Sequence, residues 1–422
     1  MPGFTLITGN RLEVLAEMCS ADLAAYPLPP MQGEVICVQS MGMMKWLTLR
    51  LAEANGVWAN CRYIFPNNMS SMLLEGFFPG SGNERYFDRA SIPWQIMRVL
   101  KSVMNRPVFS QIAEYTGDDP SGVRMYQLCS AVSDVFDQYM TFRPEMINAW
   151  DRGGDADLWQ AELWRLVTRE LDSQSPPSLL ERLKPMLRSE GFRPAGDLPR
   201  RLTLFGISYL PLYHINLLFA ASSFTDIRMY MLNPSEAYWG DILGEKDKLK
   251  IISRFPIPPS DPEADLHLDS GNPLLASMGR PGRDFIRSIF SMDCDTEQNF
   301  YEPEGGTLLA MVQQDIFNMT DRSRTGEKLT PGQIADDTSI IINSCHSPMR
   351  EIEVLRDYIL DLFNSNDGLE PRDIIVMAPD IEIYSGCVEP VFSGSGTGKD
   401  IPFRIADRKP AASEPSIAAF LE

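Results

Sequence analysis

The chain has 422 residues, enough for about two or three domains with sizeable cores. Hydrophobic residues make up 44 % and charged residues 23 %, which excludes a disordered or fibrous chain, and no apolar run reaches the roughly 18 residues of a membrane span. The formal charge of −19 argues against a uniformly basic nucleic-acid coat, yet it leaves room for basic walls confined to an internal channel.

The opening residues show no basic region followed by an apolar stretch, so no secretory signal is expected. Thr5 to Thr8 reads as a short apolar strand. Gly9 and Asn10 turn the chain, with Asn10 placed to cap a helix whose buried face carries Leu12, Leu15, Cys19 and Leu23. Glu34 to Leu51 is the stretch around which the rest is organised. Val35 to Val38 forms a buried strand, Gln39 and Ser40 end it, and Gly42 lets the backbone turn. Met44, Leu47 and Leu51 then recur at helical spacing. In open α/β sheets, ligands meet the carboxyl ends of the strands, which marks Gln39, Ser40, Met41 and Lys45. A purely local role, with Gln39 and Ser40 capping the helix, fits the same residues equally well.

Trp58 to Pro66 is irregular or a strand, and Met69 to Phe78 is helical. Residues 1–85 therefore read as the first part of an α/β domain. Residues 86–195 carry aromatics at helical spacing, led by Trp94, Leu128 and Trp159, and read as an all-helical insertion. Residues 196–330 return to strands at Arg201 to Ile207 and Ile227 to Met231, with a helix from Leu212 to Ala221 between them. This second β-α-β passage is expected to rejoin the first sheet. Asn233 to about Asp269 reads as irregular, with a mobile proline- and acid-rich loop from Pro256. After a linker from Glu327 to Asp337, residues 338–422 read as the start of a second α/β domain. Its elements are strands at Thr338 to Asn343 and Asp373 to Ala378 around a helix from Glu351 to Phe363. So few strands do not complete a sheet, and the chain is expected to be the first part of a longer protein.

Chemistry-bearing motifs are sparse. Ser393 to Asp400, SGSGTGKD, imitates a phosphate loop, but Ser393 replaces the first glycine and Asp400 the magnesium-binding hydroxyl. Ile401 and Pro402 follow where a helix should open, so a surface loop is the better reading. The three histidines lack partners at metal-ligand spacing, and no metal or cofactor is expected. The seven cysteines are scattered without a C-x-x-C pair, as reduced core residues of a cytoplasmic protein are. Glu181 to Arg201 holds six basic and three acidic residues, which fits a solvated face or a local basic wall.

Seven strings in order carry a resemblance. They are VQSMGMMKWL, DVFDQYMTFRP, LFGISYLP, NPSEAYWGDI, GNPLLASMGRPGRDF, CHSPMREIEVL and RDIIVMAPDI. Together they resemble the N-terminal third of the RecC family, the gamma subunits of exodeoxyribonuclease V. The resemblance implies a superfamily 1 helicase-like parallel-sheet fold with a helical insertion and a second α/β domain, its ATPase motifs lost. Gly9-Asn10-Arg11 follows the first strand, where an active relative would carry its phosphate loop. The implied role is a non-catalytic scaffold in double-strand break repair. It would bind RecB-like and RecD-like partners, guide single strands from a duplex end, and recognise the Chi hotspot.

By position, the resemblance implies Gln39, Asp134, Asp137 and Arg143 as hotspot readers, with Met41, Lys45 and Val135 on the same surface. Met41 and Lys45 depart from the Thr and Gln that the family pattern leads one to expect, so the sequence recognised is open. These residue types suit base reading: Gln pairs with adenine, Arg with guanine, and Asp accepts from the cytosine amino group. The string DVFDQYMTFRP fits equally an amphipathic helix with Val135 and Tyr139 inward and its aspartates solvated. Two other functions compete with this one: a helicase-nuclease subunit of the related AddB type, and a protein-interaction module without DNA contact.

Overall fold

The computed structural model describes residues 2–81, 91–117, 119–155, 157–171, 174–253, 271–292, 294–325, 330, 336–393 and 400–406. The chain divides into two units, Met1–Thr330 and Pro331–Glu422.

The first unit is α/β and is built on a six-stranded sheet. Its strands are β1 (Gly3–Gly9), β2 (Glu34–Val38), β3 (Cys61–Ile64), β4 (Arg201–Phe205), β5 (Asp226–Leu232) and β6 (Asp295–Asn299). They lie in the order β3-β2-β4-β5-β1-β6, with every pairing parallel. Residues 201–232 therefore insert two strands into the sheet begun by residues 3–64, as the second β-α-β passage led one to expect.

Successive side chains of a strand point to opposite faces, and here both faces are covered. Leu6, Cys37, Leu204 and Met229 enter one core, against α3 (Pro66–Phe77) and the helices Pro176–Leu187 and Leu212–Ser222. Ile7, Ile36, Phe205 and Tyr230 enter the other, against α1 (Leu12–Ala25) and α2 (Met41–Asn55). The helices Ile92–Val103, Ser110–Thr116, Val123–Phe142, Pro144–Asp151 and Trp159–Leu171 share a separate core. At its centre Phe136 meets Trp164 edge-on, ring centroids 5.2 Å apart.

Several expectations are corrected in this unit. Asn10 does not cap α1; Arg11 stands at the cap position and makes no side-chain cap bond. The stretch after Asn233 is not wholly irregular, because Glu245–Ile252 is helical. The acidic loop from Pro256 to Asp269 lies outside the described residues, as do Gly394 to Lys399 of the phosphate-loop imitation and most of the linker before Asp337. Of the six basic residues between Glu181 and Arg201, Arg201 is a core residue paired with Glu34, Lys184 pairs with Glu181, and Arg182 lies over the Phe78 ring.

In the second unit the helices Pro348–Ser365 and Ile381–Ser393 close around Ile352, Ile359, Phe392 and Ile401. The two strands expected here do not form: Thr338 to Asn343 and the residues after Asp373 join no ladder among the described residues. A strand is stable only where a neighbour meets its N–H and C=O groups. Without one, Ile342 is 91 % and Met377 84 % exposed.

Candidate nucleic-acid interface

Because all six strands are parallel, the loops that leave them meet along one edge of the sheet. At the end of β2, Ser40 caps α2: its Oγ accepts from the Met43 N–H at 3.1 Å. Gln39 is not a cap. Its Oε1 accepts from the Ser208 N–H at 3.3 Å and from the Ser208 Oγ at 3.1 Å. A backbone N–H can be met only by the carbonyl oxygen, so the Gln39 amide nitrogen is the end left for a ligand. Gln39 thus offers donors. The two-point adenine contact expected of it would require breaking both bonds to Ser208.

Met41 and Lys45 stand one turn apart on the exposed side of α2, while Leu47 and Leu51 fill its buried side. Met41 is 61 % exposed, and Lys45 has no ion-pair partner among the described residues.

The second group lies on the Val123–Phe142 helix. Its inward side is Val132, Phe136 and Met140. The inward placement expected of Val135 and Tyr139 is met only halfway, since both are half-buried. Asp134 is exposed and Asp137 half-buried. With Thr141 they follow the i, i+3, i+7 spacing of one helical stripe. Arg143 sits between this helix and Pro144–Asp151, at the C-terminal cap of one and the N-terminal cap of the next. Its guanidinium lies 5.8 Å above the Tyr139 ring, and Trp150 meets the same ring edge-on at 5.7 Å. That stacking holds an exposed five-donor group with no carboxylate partner among the described residues.

The loop after β4 links the two groups. Gly206, at φ +63, redirects the chain beside Met43. Ser208 then holds Gln39, while Tyr209 to Leu212 line one cavity of about 170 Å³ with Thr141, Phe142, Pro144 and Glu145. The structure therefore brings Gln39 and the end of the insertion helix to the same loop. Gln39, Met41, Lys45, Asp134, Val135, Asp137 and Arg143 do not themselves line that cavity. Ser208 and Tyr209 were not singled out from the sequence as site residues. Only the string LFGISYLP marked them, because a contact spanning 169 positions leaves no local signal.

The turn after β1 has a different neighbour. Asn10 Nδ2 donates to the Tyr301 carbonyl at 2.7 Å, and its Oδ1 accepts from the Tyr301 N–H at 3.0 Å. Arg11 lies 4.9 Å over the Tyr301 ring. A Cβ on Gly9 would fall 2.3 Å from the Asn299 carbonyl oxygen. The exit of β6 is thus packed onto the turn at which α1 begins. Among the described residues no group of three His, Cys, Asp or Glu is arranged to hold a metal ion. None of the described helices is long and apolar enough to cross a membrane.

Known proteins match this chain closely. A family model described as "RecC, N-terminal domain" covers residues 4–319. The chain is 31 % identical to "RecBCD enzyme subunit RecC" of Haemophilus influenzae, over 99 % of its own length and 42 % of the relative's. It is 31 % identical to the protein of that name in Escherichia coli, over 98 % and 40 %. The Mycolicibacterium smegmatis protein is 29 % identical, over 93 % and 34 %. The chain spans about two fifths of the length of the first two curated relatives. With the family model spanning most of the chain, and the parallel sheet, helical block and sheet-edge loops all falling within its reach, this chain belongs to the RecC family.

Proposed function

We propose that this chain is a DNA-handling scaffold of a RecBCD-type helicase-nuclease, acting in the cytoplasm in double-strand break repair and recombination. It would assemble with RecB-like and RecD-like subunits, guide single strands and read the Chi hotspot without catalysing a reaction itself. The observation that carries this reading is the loop after β4, which holds Gln39 at Ser208 and shares a cavity with the residues flanking Arg143. Donors on Gln39 and Arg143 face base acceptors, and Asp134 and Asp137 face base amino groups. Met41, Lys45 and Val135 extend the same reading surface.

In this reading the chain is laid out as a superfamily 1 helicase whose ATPase has been lost. Residues 1–85 and 196–330 make the first motor-like domain, 86–195 the insertion, and 338–422 the beginning of the second. Asn10 and Tyr301 support it, since they occupy the turn that an active relative would use for phosphates. Calorimetry with magnesium-ATP is expected to give no saturable heat, and a micromolar Kd would overturn this part.

The reading surface is tested in full-length subunits carrying Gln39→Ala, Asp137→Ala or Arg143→Ala. Strand passage needs backbone contacts and channel shape, whereas base recognition needs these hydrogen bonds, each good pair giving about 1–3 kcal/mol of discrimination. Unwinding is expected to continue while hotspot-dependent product falls by roughly tenfold or more. Normal hotspot product in every variant would refute the assignment. Joint collapse of assembly and unwinding would make these residues structural.

A further inference from the structure

We infer that the cavity between the Val123–Phe142 helix end and the loop after β4 receives one unstacked cytosine of a single strand. The inference rests on the reading of this surface as strand-facing and adds a base-selective pocket that this reading does not require. Size comes first. The cavity holds about 170 Å³, and an enclosed space of roughly 150 Å³ takes up a single benzene ring. One six-membered ring fits within it.

The lining supplies the rest. Phe142, Pro144 and Tyr209 offer apolar and aromatic faces for a base to lie against. The polar wall is rich in acceptors. It carries the carboxylates of Glu145 and Asp284, and among the described residues neither has an ion-pair partner. Ser288 also lines it, and its Oγ already donates to the Asp284 carbonyl at 2.8 Å, which leaves the oxygen lone pairs free to accept. No Lys, Arg or His lines the cavity, so a phosphate would meet only negative charge. Thymine presents a carbonyl at C4, which meets repulsion from a carboxylate. Cytosine presents an amino group there, and carboxylates accept from it. Arg143 adjoins Phe142 and Pro144 in sequence and is exposed, which leaves its guanidinium for a neighbouring base outside the pocket.

Fluorescence anisotropy of short labelled oligo(dC) and oligo(dT) at low salt tests this on the chain. Oligo(dC) is expected to bind more tightly by on the order of tenfold, one good base contact. Glu145→Gln with Asp284→Asn keeps the shape of both side chains and gives them amide donors that suit a C4 carbonyl. That variant is expected to bring the dC-to-dT ratio near one; the ratio cancels any general gain from removing two negative charges. Phe142→Ala is expected to weaken both oligomers, because stacking does not depend on base identity. Equal wild-type affinity for both, lost in Gln39→Ala and Arg143→Ala, would overturn the pocket and leave the strand-facing surface standing. A preference that survives in the double amide variant would likewise overturn the pocket. Absence of any single-strand binding would overturn both.

Discussion

Replacing Arg201 by alanine is expected to cost the first unit about 3–5 kcal/mol of folding stability. Arg201 is 3 % exposed and Glu34 is nearly as enclosed, at 12 %. The guanidinium makes a forked contact: Nε donates to Glu34 Oε2 at 3.0 Å and Nη2 to Glu34 Oε1. Nη1 donates to the Tyr26 carbonyl at 2.8 Å, just past the end of α1. One side chain therefore satisfies a buried carboxylate and a backbone carbonyl. Removing it strands the Glu34 charge, and desolvation of that charge is no longer offset. Replacing both partners by apolar residues, Glu34→Leu with Arg201→Met, removes the stranded charge and is expected to recover most of the loss. Urea unfolding of the two variants decides it, read as a shift in midpoint at constant slope. A single variant within about 0.5 kcal/mol of wild type would mean that the pair contributes nothing. The consequence reaches the site, because Arg201 and Glu34 begin β4 and β2, whose far ends lead to Ser208 and Gln39.

The central strands were legible because burial on both faces demands short runs of apolar and β-branched residues. β2 and β4 each display one, EVICV and RLTLF. β6 was not legible. DTEQN is an edge strand, four of its five residues are exposed, and only its pairing with β1 makes it a strand. The second unit shows the converse. TSIIIN has the composition of a strand, yet composition does not supply a ladder partner, and it runs unpaired. The helix Ile381–Ser393 has a weak sequence signal because Gly386 and Pro390 lie inside it. At the site, Ser40 and Gln39 were equivalent candidates for a cap until Ser208 entered, since the Gln39 partner is set by tertiary packing. The exposure of Asp134 followed from helical periodicity. The position of Arg143 between two helices followed from nothing more local than the proline after it.

Acidification from about pH 6.5 to about 4 is expected to remove roughly 3 kcal/mol from the first unit through His214 alone. His214 lies in the first turn of the helix Leu212–Ser222 and is 3 % exposed. Burial pulls its pKa from 6.5 down to about 4. Its Nδ1 stands 2.6 Å from the Ser70 Oγ on α3, where the hydroxyl can donate to a neutral ring. The positive end of its own helix disfavours the imidazolium further. In the unfolded chain the ring takes up its proton near pH 6.5, while the folded protein resists until about 4. Between those values the unfolded state binds more protons, so stability rises with pH. The contribution is complete above the unfolded value and is lost as pH falls to the folded one. His214→Asn places an acceptor near the position of Nδ1 and does not titrate. This variant is expected to be less stable than wild type at neutral pH, because the smaller side chain leaves a cavity. The gap should then narrow as the pH drops, because only the wild type loses the histidine contribution. Carboxylates that titrate in the same range act on both proteins and cancel in the difference. Urea midpoints measured across this range would show the two stability curves converging, and curves that stay parallel would remove His214 from the acid sensitivity of the fold.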